Sequence, residues 1–186
     1  MSKISITGAA GFVGTNLQNY LKSSHEIVPM SVRYKPNQEF EVTADVVIHL
    51  AGKAHDLKKV SQPQDYYDAN YELTKQLFDG FINSEAKVFV FMSTVKAVAD
   101  EVKGILSEDA IPNPKTHYGI AKHQAEQYLL SHELPQGKRV YILRPCMIHG
   151  PGNKGNLNLL YTLVDQGLPW HSGASDNTSH LLSIKP

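Results

Sequence analysis

The sequence predicts an α/β domain: a doubly wound parallel sheet with helices on both faces. Three observations carry that prediction. Short β-rich runs alternate with longer helical stretches, the pattern of strands joined by crossover helices. The run DVVIHL at 45–50 is continuous, β-branched and buried in character, as a strand covered on both sides requires. A glycine run, Thr7-Gly8-Ala9-Ala10-Gly11-Phe12-Val13-Gly14, lies between the first strand-like and the first helix-like segment.

In chain order, Ile4 to Thr7 reads as a strand, Phe12 to about Lys22 as a helix and Glu26 to Met30 as a second strand. Phe40 to Val42 has the composition of a short edge strand, and Asp45 to Leu50 of a central one. From Gln64 to Ser84 the residues Leu73, Leu77, Phe78, Phe81 and Ile82 recur at helical spacing. Lys87 to Met92 is another strand, and the loop from Asp100 to Lys115 carries Pro112 and Pro114. A helix is expected to start near Tyr118, with Ala121, Ala125, Tyr128 and Leu129 on one face. Arg139 to Arg144 is the last clear strand, halted by Pro145. A composition shift at 150–160 (GPGNKGNLNLL) is followed by one short helical pattern and an unpatterned tail.

With 186 residues, 41% of them apolar, the chain suffices for one compact domain with a core. Lys and Arg number 18 and so do Asp and Glu, a zero formal charge that argues against an electrostatic grip on nucleic acid or an anionic membrane. The one cysteine, Cys146, excludes a disulfide framework and fits a reducing compartment. No apolar run reaches the roughly 20 residues needed to span a bilayer. The glycine motif begins at Gly8, leaving no room for a signal peptide ahead of it. The expectation is a soluble, cytoplasmic protein.

The glycine run implies a dinucleotide. Phosphates must approach backbone N–H groups at a helix N-terminus, and glycines remove the Cβ atoms that block the approach. After the second strand, an acid binds the ribose of NAD, whereas an arginine accommodates the 2′-phosphate of NADP. Here Ser31 takes that place and Arg33 follows, so NAD and NADP both remain open.

Tyr-x-x-x-Lys occurs twice, as Tyr71 with Lys75 and Tyr118 with Lys122. Both pairs are helical neighbours. Position separates them: Tyr118 opens its helix and follows the hydroxyl pair Ser93-Thr94 at the end of a strand, where ligands bind in such sheets. Tyr71 sits well inside a helix, so Tyr118–Lys122 is the functional candidate. A lysine ammonium about 6 Å away and a nicotinamide ring nearby favour the phenolate, lowering its pKa from near 10. Such a base removes a proton from a substrate hydroxyl held by Thr94 while hydride passes to the cofactor.

With these parts in order the chain resembles the extended short-chain dehydrogenase/reductase family, in particular its nucleotide-sugar epimerases, dehydratases and 4-ketoreductases. The matching stretches are TGAAGFVG at 7–14, DVVIHLAGKAHD at 45–56, YYDAN at 66–70, FMSTVKAVAD at 91–100, HYGIAK at 117–122 and LRPCMIHGPG at 143–152. The UDP-glucose 4-epimerase branch is the most similar. The resemblance implies a Rossmann-type NAD(P)-binding domain at 1–150 and, at 151–186, the start of a substrate lobe that this chain otherwise lacks. It implies a cofactor site of Gly8, Gly11, Phe12, Val13, Gly14, Leu50, Ala51, Gly52, Ala54 and Asn70, with Lys122 at the nicotinamide ribose and Pro145 and Met147 flanking the nicotinamide. Thr94, Tyr118 and Lys122 match the catalytic positions; Lys96 and Asn156 match positions near the sugar and its diphosphate. The implied activity is epimerisation at C4 of a UDP-hexose through a 4-keto intermediate. The alternatives are an NADPH-dependent 4-ketoreductase and a catalytically incomplete dinucleotide-binding fragment. Relatives pair as homodimers through the helices near 64–84 and 118–132. One departure is Val98-Ala99, standing where family members often carry Tyr-Gly.

Other residues are set aside. His49 and His55 have no third ligand at useful spacing, so no metal site is expected. His117 reads as a surface residue, Cys146 as a structural thiol and Trp170 as a packing residue.

Overall fold

The β-rich runs at 4–7, 26–30, 45–50, 87–92 and 139–144 form strands, and these assemble in parallel as the buried apolar runs require. The structure is a computed structural model and describes residues 1–54, 62–102, 104–150, 153 and 181–184. Its elements are β1 (Lys3–Thr7), α1 (Phe12–Leu21), β2 (Glu26–Met30), β3 (Val46–His49), α2 (Pro63–Tyr67), α3 (Leu73–Ile82), β4 (Val88–Met92), α4 (His117–Leu130), β5 (Arg139–Leu143), β6 (Met147–His149) and β7 (Leu181–Ser183). A π turn at Asp68–Glu72 joins α2 to α3, and a 3-10 turn at Val95–Ala97 follows β4.

Residues Met1–Pro145 form one compact unit around a five-stranded sheet of order β2-β1-β3-β4-β5. Every neighbouring pair is parallel. The chain leaves β1 in one direction through α1 and later returns to its other side at β3. With right-handed crossovers this places α1 on one face and α3 and α4 on the other. The core of the α3/α4 face is aromatic, with Phe78, Phe81, Phe89 and Phe91 all fully buried beside Leu77, Leu129 and Val47.

The second unit, Cys146–Pro186, contains a feature the sequence did not suggest: β6 and β7 pair in parallel, Met147 opposite Leu181. The short helical pattern expected after residue 155 lies outside the described residues.

Two expectations need correction. Phe40–Val42 forms no edge strand. Phe40 and Val42 are buried with Val32 and Tyr34 in the aromatic core, and Gln76 of α3 donates to the Lys35 carbonyl at 2.8 Å. A Cβ on Gly80 would strike the Phe40 carbonyl, so the segment lies tight under α3. Side-chain burial there, rather than a backbone ladder, fixes its path. The helix expected from Gln64 to Ser84 is interrupted at Asp68–Glu72 by the π turn, which rotates α3 relative to α2.

Lys138 completes the end of α3 from a distant part of the chain. Its ammonium donates to the carbonyls of Phe81, Ser84 and Ala86 at 2.9, 2.7 and 2.7 Å. It satisfies acceptors that a helix C-terminus leaves open and lies at the negative end of the dipole. Lys138→Met is expected to lower the unfolding free energy by about 1–3 kcal/mol, measured by urea denaturation.

Candidate active site

The sheet order reverses between β1 and β3, and the crevice outside the carboxyl ends of those strands is the ligand position of an open α/β sheet. The glycine run sits there. Gly8 has φ +66°, and a Cβ on it would lie 2.8 Å from the Ala51 nitrogen and 2.9 Å from the Leu50 carbonyl carbon. A side chain at Gly14 would meet Ala9 Cα at 2.7 Å. Gly11 is the N-cap of α1, with no side-chain cap and no acid in the first turn. Phe12 and Val13 open the helix, half-buried. This glycine-lined, uncapped helix start fits a dinucleotide pyrophosphate.

The segment after β3 is held from both sides. Thr7 Oγ1 accepts the N–H groups of Leu50 and Ala51 at 3.2 and 3.1 Å. Asn70, fully buried in the π turn, donates to the carbonyls of Lys53 and Tyr66 at 3.0 and 2.9 Å and accepts from the Lys53 N–H at 3.1 Å. A Cβ on Gly52 would lie 2.6 Å from Asn70 Oδ1 and 3.4 Å from Lys122 Nζ. Gly52, Asn70 and Lys122 therefore converge.

Lys122 projects from α4 under this segment. Its Nζ donates to the Met92 carbonyl at 2.8 Å and stands 4.5 Å from the Phe91 ring centroid. Burial pulls its pKa down to about 7, opposed by the charge of Glu126. Tyr118, one turn earlier and half-buried, has its pKa pushed up by burial, and a hydrogen-bonding interaction with the Thr94 hydroxyl brings it partly back. The lowered phenol pKa expected from the sequence is thus not met here. Burial dominates, and it also weakens the neighbouring cation that was to favour the phenolate. Thr94 ends the run after β4, its Oγ1 accepting from the Lys96 N–H at 3.3 Å. The start of α4 is fixed by Thr116, which accepts from the Gly119 N–H, and by Asp100, which takes the N–H of Lys115 and both donors of Thr116.

The structure thus brings together Gly8, Gly11 and Gly14 with Leu50 and Ala51, Gly52 with Asn70 and Lys122, and Tyr118 with Thr94. Ser31 and Arg33 come after β2, whose Met30 pairs with Thr7. Both are exposed, while Val32 and Tyr34 between them and beyond anchor in the core. Ala54 and Lys96 are exposed. The Pro145 carbonyl accepts the Val95 N–H at 3.2 Å. Met147 lies on β6 in the second unit, and Asn156, His55 and Trp170 fall outside the described residues. Tyr71 faces Lys75 with the ammonium 4.9 Å from its ring, and Lys75 is salt-bridged to Glu72, a local helical pair. His117 is exposed and lies 3.3 Å from the Tyr67 hydroxyl. Among the described residues, no group of three or more His, Cys, Asp or Glu side chains could hold a metal ion.

Two polar networks were not legible in the sequence. One joins Ser93, Glu126 and Arg144; the i,i+4 spacing of Glu126 from Lys122 was its only signal. The other is centred on His49. Thr74 Oγ1 donates to the Asn70 carbonyl at 2.8 Å, so it accepts from His49 Nε2 at 3.0 Å. Thr7 Oγ1, already accepting two N–H groups, donates to Nδ1 at 2.7 Å. The network thereby assigns a neutral Nε2–H tautomer. Burial, aided by the charge of Lys122, lowers the pKa of His49 from 6.5 to about 3. The unfolded chain takes up this proton first, so the stabilisation is complete above pH about 6.5 and is lost as pH falls towards 3, by up to about 1.4 kcal/mol per unit. In urea titrations, the stability advantage of the parent over His49→Gln is expected to shrink steadily between about pH 6.5 and 4.

Comparisons with known proteins identify the family and the fold. Residues 4–168 match the NAD dependent epimerase/dehydratase family. The chain is 32% identical to a UDP-glucose 4-epimerase of Vibrio cholerae, over 97% of this chain and 62% of the relative. It is 29% identical to a GDP-6-deoxy-D-mannose reductase of Pseudomonas aeruginosa, over 82% of this chain and 54% of the relative. The chain thus spans a little over half the length of these curated relatives. Its fold superposes on a Bacillus cereus UDP-glucuronic acid 4-epimerase in complex with NAD, with TM-score 0.73 and 25% identity, covering 90% of this chain and 64% of that one. With the glycine loop at the switch point and residues 4–168 matched, the chain belongs to the NAD dependent epimerase/dehydratase family.

Proposed function

We propose that this chain carries the nicotinamide-binding and proton-transfer part of an NAD(P)-dependent enzyme that epimerises C4 of a nucleotide-linked hexose, UDP-linked by analogy with its relatives. The observation that carries this reading is the convergence of Gly52, Asn70 and Lys122 beside the Thr94–Tyr118 pair, one strand away from the glycine loop. The Gly8–Gly14 loop and the start of α1 hold the pyrophosphate. Leu50, Ala51, Gly52, Ala54 and Asn70 line the dinucleotide, Pro145 flanks the nicotinamide, and Lys122 donates to the ribose hydroxyls. A bound nicotinamide supplies reversible hydride transfer. Thr94 holds the C4 hydroxyl, and Tyr118 takes its proton and later returns it to the 4-keto oxygen. Lys96 lies near the sugar and its diphosphate. The α3 and α4 faces form a homodimer interface, and the cytoplasm is the protein's setting, in keeping with a single cysteine.

A second reading, a 4-ketoreductase using NADPH, is favoured by Ser31 and Arg33, exposed after β2 with no acid between them. Titration calorimetry with NAD and NADP, followed by NMR of UDP-galactose and UDP-glucose interconversion, tests the first reading. NADPH consumption with a 4-keto-6-deoxy sugar nucleotide tests the second. The chain is expected to bind a dinucleotide; binding of neither NAD nor NADP overturns both readings.

A further inference from the structure

The buried face of α4 carries an anion that the proposed chemistry leaves unused. Glu126 is 1% exposed and lies one helical turn beyond Lys122, so the two side chains are neighbours. Ser93, the first residue after β4, donates its hydroxyl to Oε1 at 2.5 Å. Arg144, the first residue after β5, grips both oxygens, Nε to Oε1 at 3.0 Å and Nη2 to Oε2 at 2.7 Å. The two strand ends are also joined directly, Ser93 N–H to the Leu143 carbonyl at 2.7 Å and Val95 N–H to the Pro145 carbonyl at 3.2 Å. One carboxylate therefore ties the corners bearing Thr94 and Pro145 to the helix bearing Tyr118 and Lys122.

Apolar side chains could brace these elements without the desolvation cost of an ion pair. They could not supply a negative charge beside the Lys122 ammonium, which is 4% exposed. Among the described residues, the other groups facing Lys122 are uncharged: the Met92 carbonyl and Phe91 ring on β4, the neutral imidazole of His49 on β3, Gly52 after it, and the Tyr118 phenol on α4 itself. Among the described residues, Arg144 and His123, the latter 3.8 Å from Oε2, are the other titratable groups facing the carboxylate.

We propose that Glu126 is a positioning residue of this site: its carboxylate sets the strand corners against α4 and supplies the negative charge that favours the Lys122 ammonium. The kinetic consequence rests on the Tyr118–Lys122 reading above; the charge of Lys122 does not. The test tracks the 13Cε resonance of Lys122 against pH in lysine-labelled chain. Glu126→Gln is expected to lower the Lys122 midpoint by about one unit, whereas Arg144→Met, which breaks the same bridge but keeps the anion, does not lower it. Should Glu126→Gln fail to fold, Glu126→Gln/Arg144→Met is compared with Arg144→Met: the two differ only in the anion, and the double variant is expected to titrate lower by a similar amount. A brace without an electrostatic role predicts that both single variants move Lys122 alike. That result, or a Gln-bearing variant that titrates no lower than its Glu126 counterpart, overturns the proposal. In the catalytically active protein, Glu126→Gln is expected to lower kcat at pH 7 by about tenfold with dinucleotide affinity within about threefold, and Glu126→Asp to restore part of it. Absence of turnover in the parent refutes the function and leaves the Lys122 titration to judge Glu126.

Discussion

Tyr118→Phe is expected to cut turnover of the active protein by about 10²–10⁴-fold while leaving dinucleotide affinity unchanged. The substitution removes one oxygen and little volume, so α4 and the Lys122–Met92 bond stay in place. What is lost is the proton-transfer group beside Thr94. The fall is expected in kcat and in kcat/KM together, since a proton in flight exists only in the transition state. Steady-state kinetics on a nucleotide sugar, paired with titration calorimetry of the dinucleotide, measures both. Unchanged turnover removes Tyr118 from its role. Tyr71→Phe, at the other Tyr-x-x-x-Lys pair, serves as the control: its ring packs against the ammonium of its helical neighbour Lys75, and turnover is expected to persist.

Phe78→Ala carries the largest expected loss of stability, about 3–5 kcal/mol by urea or thermal denaturation. Phe78 is fully buried between α3, α4 and β4. Its ring meets Phe89 edge-on at 5.5 Å, His132 at 5.5 Å, Tyr128 at 6.2 Å and Phe81 at 5.9 Å. Truncation removes those contacts and leaves a cavity that neighbouring rings, fixed by their own packing, only partly fill. A loss this large approaches the total stability of a typical domain, so the variant is expected to be partly unfolded near 37 °C. A loss below about 1 kcal/mol would mean that the two helices do not depend on this aromatic core.

The bounds of β2 were legible to the residue, because the polar Ser24 and His25 before it and Ser31 after it interrupt the apolar run. The start of α4 was legible to within one residue from the proline loop before it. Phe40–Val42 misled for a physical reason: a buried cover strip and an edge strand share one apolar alternation, and only the packing partner distinguishes them. The π turn was invisible because its cause is not local. Asn70 is held by Lys53, seventeen residues earlier, and by Thr74 in the next turn. The burial of Glu126 and its pairing with Arg144 were not legible, since sequence carries no sign of which face of α4 a polar residue joins when Lys122 and Glu126 share the buried stripe with Ala121, Ala125 and Leu129.

By itself the sequence determined the order of the five main-sheet strands and the glycine loop, and it proposed Tyr118–Lys122 over Tyr71–Lys75, because these depend on periodicity and on what adjoins what along the chain. Only the tertiary structure decided the protonation state of His49, the burial that raises the Tyr118 pKa and lowers that of Lys122, and the convergence of Ser93, Glu126 and Arg144. Desolvation and charge pairing act between groups that are distant in the chain and touch only after the sheet has formed.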